Sequence, residues 1–149
     1  MPSLIKREYD YAIRICAYLA GREDKSPVPL PKMAKALFIS KPFATKIVHQ
    51  LKISGITGSV QGKTGGIFLE KDPSKLSLFT ILEAMGFNSS LNECIKDHRH
   101  CPLIRLCHIH DFFVEAEIEL FGRFQKKMIS ELAIRERDLS PLSYDKLVQ

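Results

Sequence analysis

Three features of the sequence predict a mainly α-helical fold with one small β-hairpin. Apolar residues recur at three-to-four spacing in successive segments between Ile5 and Ile53, and again from Leu76 onward. Residues 56–69 break that rhythm, with two short apolar runs around a glycine-rich turn. No run of about 18 apolar residues occurs, so no membrane-spanning helix is expected. At 149 residues, 45% of them hydrophobic, the chain can bury one ordinary core and carry a helical extension, but not two full domains.

The first helix is expected from Ile5 to Ala20, with Tyr9, Ala12, Ile13, Cys16 and Leu19 on one stripe and Asp10 and Arg14 among the polar positions. Gly21 ends it. Cys16, on the apolar stripe, reads as a small core residue rather than a ligand. Arg22 to Pro31 is a polar, proline-bearing loop, and Pro31 suits a first helical turn, where a missing N–H costs nothing. Met33, Ala34 and Leu37 give the second helix a buried face. After a brief break at Phe38-Ile39, Ser40 stands as N-cap of a third helix that runs to about Ile53 and stops at Gly55.

On the third helix Phe43, Ile47, Val48 and Leu51 form the apolar side, leaving Pro42, Thr45 and His49 facing away, flanked by Lys41, Lys46 and Lys52. Two short helices joined by a tight break, the second with a basic, carboxylate-free outer face, match a helix-turn-helix unit whose second helix enters the major groove of DNA. Ile56 to Val60, the turn Gln61-Gly62-Lys63-Thr64-Gly65-Gly66 and Ile67 to Leu69 then form the hairpin. Placed directly after a recognition helix, a hairpin is a wing, and its glycines let the tip with Gln61 and Lys63 approach phosphates closely. A nucleotide-phosphate loop is excluded, because no Gly-Lys-Ser/Thr pattern precedes a helix.

A fourth helix is expected over Leu76 to Phe87, broken by Asn88-Ser89-Ser90. From Pro102 a helical pattern extends to Ile134, with Ile109, Phe112, Phe113, Ala116, Leu120, Phe124, Met128 and Leu132 on one stripe. A small domain cannot cover so long a stripe, and a second copy of the chain can, in a two-fold dimer. The expected organisation is a winged helix-turn-helix domain (1–87), a cysteine-rich loop (88–107), a dimerisation helix (108–135) and a charged tail (136–149) to which no function is assigned.

The net charge is +5, and its distribution says more than its size. No acidic residue lies between Asp24 and Glu70, while Lys25, Lys32, Lys35, Lys41, Lys46, Lys52 and Lys63 all fall there. Such a one-sign block inside a periodic segment is the footprint expected where polyanion phosphates dock. Charges near the N-terminus occupy the place a signal peptide would need for its apolar core, so a cytoplasmic protein is expected.

Residues 94–110 hold three of the four cysteines and four of the five histidines. Thiolates and imidazoles so gathered can hold iron, zinc or an iron-sulfur cluster. Disulfides suit small, loop-rich secreted chains better than this lysine-rich, helical one. An enzyme using Cys107 with His110 or His108 lacks an oxyanion site, and a helical i, i+3 pair is poor geometry for attack. The alternatives to a cluster are a structural zinc held by the three cysteines and His110, or no cofactor, with control by a partner protein or small molecule. His98, His100 and His108 are read as solvated side chains rather than ligands.

The order of parts resembles the winged-helix regulators typified by the iron-sulfur cluster regulator IscR and the nitric-oxide-responsive repressor NsrR. The likeness covers about residues 1–135; its specific parts are the wing Val60-Gln61-Gly62-Lys63-Thr64-Gly65-Gly66 and the three-cysteine loop. It implies a dimeric repressor that binds palindromic operators, with a two-iron or four-iron cluster on Cys94, Cys101 and Cys107. The IscR type implies His110 as fourth ligand. The NsrR type implies Asp10, donated by the first helix of the partner subunit. Thr45 and His49 would then face base edges, and Lys41, Lys46, Lys52 and Lys63 phosphates, with Gln61 at the wing where IscR has arginine. Six residues separate Cys94 from Cys101, one more than is usual in such loops.

Overall fold

The computed structural model describes residues 3–97, 99 and 101–139. In chain order these form α1 (Arg7–Ala20), α2 (Leu30–Ala36), α3 (Lys41–Ile53), β1 (Thr57–Val60), β2 (Gly66–Leu69), α4 (Leu78–Ala84), the single turn α5 (Glu93–Lys96) and α6 (His108–Lys126). The fold is mainly helical with one small antiparallel hairpin, in which Thr57 faces Leu69 and Val60 faces Gly66. Among the described residues, no helix is long and apolar enough to cross a membrane.

The core forms where α1 crosses the helix-turn-helix unit. Ala12, Ile15, Cys16 and Leu19 of α1 are buried against Met33, Ala34 and Leu37 from the second helix and its end, and against Ala44, Ile47 and Leu51 of α3. Ile56 and Ile67 close the core from the hairpin. Val28 adds a single-residue antiparallel bridge at the wing's base, exchanging two 2.8 Å backbone hydrogen bonds with Ile67. Position 66 must be glycine there, since a Cβ would collide with the Val28 carbonyl.

Burial has a titration consequence at Cys16, which is fully enclosed. Desolvation pushes its thiol from 9.0 up to about 12. Between those values the folded chain keeps a proton that the unfolded chain has released, so stability falls as pH rises above about 9. Denaturant titrations below and above that pH should show a steeper loss for the wild type than for Cys16→Ala. Equal losses would mean that this thiol does not govern the alkaline limb.

The fourth helix is shorter than expected, because Ser77 caps it: the Ser77 hydroxyl accepts the Thr80 N–H at 3.1 Å. Beside it a second, smaller cluster joins Tyr9, Leu82 and Phe87 to Phe79, Phe121 and Phe124. The Phe87 ring meets Tyr9 and Phe121 edge-to-face, with centroids 5.7 and 5.5 Å apart. These aromatics seat α6 on the winged unit.

The expected helix to Ile134 is corrected by the structure: α6 has 19 residues and ends at Lys126. The spacing of Phe124, Met128 and Leu132 imitates a continuing helix, but the backbone takes other partners. Lys127 accepts the Leu78 N–H and Leu76 accepts the Ile129 N–H, both at 2.8 Å, while Ile134 donates to Ala17 at 2.9 Å. Ile129 is fully buried, a gain of about 1.5–3 kcal/mol that an extended α6 would forfeit. Residues 127–134 are therefore a strap laid back over α1 and α4. Gly21 is needed where it passes, for a Cβ there would strike the Ile134 carbonyl. The tail begins with a 3-10 turn at Glu136–Leu139, and its remainder from residue 140 lies outside the described residues.

Candidate nucleic-acid interface and ligand loop

The outer face of α3 is built as its periodicity requires. Burying Ala44, Ile47, Val48 and Leu51 leaves Lys41, Thr45, Lys46, His49 and Lys52 exposed. Thr45 Oγ1 donates to the Lys41 carbonyl at 2.8 Å, so its lone pairs remain available to accept from a base amino group. Lys52 Nζ donates to Ser59 Oγ at 2.7 Å, which ties the end of α3 to β1 and leaves the ammonium two further donors. Gln61 and Lys63 are exposed at the wing tip.

Two contacts that the sequence reading did not foresee hold this unit in place. Gln50 Nε2 donates to the Ala84 carbonyl at 3.1 Å, bracing α3 on α4. Arg14 donates to the Leu37 carbonyl at 3.2 Å, stacks over Tyr11 at 5.0 Å and pairs with Asp10 at 2.5 Å. The Asp10–Arg14 spacing of four was the available signal for the last of these. Asp10 is half-exposed and held in that pair.

In the loop, Asn92 caps α5 by accepting the Cys94 N–H at 3.4 Å, and this fixes Cys94 in a half-buried position. Cys94 Sγ lies 3.4 Å from His110 Nδ1. The structure thus joins His110 to the first cysteine of the loop, across sixteen positions. Cys107 is the extended N-cap of α6, just outside the helix. Cys101 lines the same hollow as Asn92, Glu93, Cys94, Lys96 and Asp97. All four cysteines are thiols. Among the described residues, no three His, Cys, Asp or Glu groups stand close enough together to hold a metal. His98 and His100 lie outside the described residues, and His108 is exposed.

A recognition helix with a basic outer face, a hairpin wing tied to its end and a Cys/His loop leading into a half-covered helix define a winged-helix DNA-binding protein. The Rrf2 family profile, described as iron-dependent transcriptional regulator, matches residues 5–135, and the chain belongs to that family of transcription regulators. It is 31% identical over 136 residues to an HTH-type transcriptional regulator of Aquifex aeolicus, covering 89% of this chain and 94% of that one. It is 29% identical over 115 residues to the HTH-type transcriptional regulator NsrR of Geobacillus kaustophilus, covering 76% and 78%. Its fold superposes on CymR, the global cysteine regulator of B. subtilis, with TM-score 0.73 at 20% identity over 89% of this chain and 97% of that one. Both of these relatives carry the name of a transcriptional regulator.

Proposed function

We propose that the chain is a dimeric, sequence-specific repressor whose affinity for a palindromic operator is set by an iron-sulfur cluster held in the 94–110 region. The observation that carries this reading is the approach of His110 to Cys94 beside the hollow that Cys101 lines. Three thiols and an imidazole, two of them already in contact, are a donor set that suits such a cluster chemically. Cys94, Cys101 and Cys107 would hold it, with His110 as fourth donor. Asp10 of a partner subunit is the weaker candidate, because it must first leave Arg14. When bound, the cluster supplies iron-thiolate bonds that are sensitive to oxidant and nitric oxide.

The chain's own residues supply the coupling. His110 sits at one end of α6, Phe121 and Phe124 fasten the other end to α4, and the strap continues to α1. Rearrangement of the loop therefore bears on the helix that joins two copies and on the core that carries α3. Two recognition helices must dock about 34 Å apart, so a small change in their separation alters affinity considerably.

Anaerobically purified protein should be brown, contain iron and sulfide, and bleach with nitric oxide. Colourless protein with one zinc per chain would favour the structural-clamp alternative, and protein with neither would remove the sensor from this reading. For the DNA face, Lys46→Ala should lower the slope of log-affinity against log-salt by about 0.9. An unchanged slope would mean that α3 does not lie against phosphates as proposed.

A further inference from the structure

The turn between α2 and α3 ends α2 in a way that favours glycine, yet places phenylalanine there. Ile39 donates to the Ala34 carbonyl at 2.9 Å and Phe38 to the Lys35 carbonyl at 3.3 Å, the paired bonds of a Schellman stop. That stop requires a left-handed residue just past the helix end, and Phe38 occupies it with φ +56°. For a bulky side chain this conformation is strained, and glycine would adopt it freely. Burial does not compensate, since Phe38 is 76% exposed while its neighbours Leu37 and Ile39 are buried. A backbone outlier of this kind points to function when it stands in a recognition element.

We propose that Phe38 is a DNA-contacting residue whose ring packs on an apolar part of the groove edge, a deoxyribose or a thymine methyl. The proposal rests on the DNA-binding reading of α3 and extends it to the turn. Phe38 lies two positions before the Ser40 N-cap, between exposed Lys35 and Lys41, in the segment that contains no carboxylate. Its surroundings thus complement a polyanion, and an aromatic ring is a suitable apolar partner for a thymine methyl. A second copy of the chain is the less fitting occupant, because the exposed apolar side chains Ile109 and Phe112 that suit self-association lie on α6.

The test uses a duplex enriched by the full-length wild-type protein from a random-sequence pool. Phe38→Gly should raise the melting temperature, through release of the strain, and weaken binding to that duplex about tenfold. Its salt slope should match the wild type, because no charge is lost. Phe38→Asn, which also tolerates the left-handed region, should bind as weakly as the glycine variant. Replacing thymines one at a time by deoxyuridine separates the two apolar sources. A methyl contact shows as one position that weakens the wild type but not Phe38→Gly, and a deoxyribose contact as a tenfold loss with no sensitive position. Unchanged affinity in both variants overturns the proposal, as does a loss that sedimentation traces to altered self-association. A wild type that enriches no sequence and binds no duplex would instead overturn the DNA reading beneath it.

Discussion

For the dimer proposed above, Phe112→Glu is expected to give a monomer and to weaken binding to a two-half-site operator by about 10²–10⁴-fold, the avidity lost when two linked heads bind separately. Phe112 and Ile109 are 64% and 66% exposed, an unusual state for large apolar side chains one helical turn apart. Farther along α6, Phe121 and Phe124 are committed to its own subunit. A carboxylate on the exposed stripe should fold normally in the monomer, because Phe112 contributes nothing to the buried core, yet it would be buried unpaired in a helix-to-helix interface. Sedimentation velocity reads the first effect and titration against the operator the second. A Phe112→Glu chain that sediments as a dimer would place the self-association surface elsewhere.

The second large effect is expected from Cys101→Ser, which should bring bound iron and sulfide close to zero and leave DNA affinity unresponsive to nitric oxide. Cys101 is half-buried in the hollow beside Cys94 and takes no part in either core cluster, so its loss should not move the melting temperature of the metal-free protein. Serine keeps the shape and removes the soft donor. Cys16→Ala is the matched control: that thiol is sealed in the core and should be indifferent to the cluster. Retention of iron by the Cys101 variant would exclude this residue from the ligand set.

What could be read from the sequence was what local chemistry decides. The stripe through Ala12, Cys16 and Leu19, the proline that opens α2, and the division of α3 into buried Ile47 and Leu51 and exposed Thr45 and His49 all follow from spacing and burial. Glycine placement located the hairpin to within a residue. What escaped depends on partners distant in sequence. Met128 and Leu132 continue the helical rhythm of α6, and only the carbonyl of Leu76 and the backbone of Ala17 decide otherwise. The single turn α5 was hidden inside a loop, although Asn92 two positions before Cys94 is an ordinary capping signal. The Cys94–His110 approach bridges sixteen positions and was anticipated as a shared role, not as this contact.

Residues 76–78 precede the cysteine loop and residues 127–129 follow it, yet their backbones are hydrogen-bonded to each other, and Ile129 plugs the core built by the first half of the chain. The loop is thereby bracketed at its root. A chain nicked once between 88 and 107 is expected to run as a single particle on size-exclusion chromatography, its halves clasped by that seam.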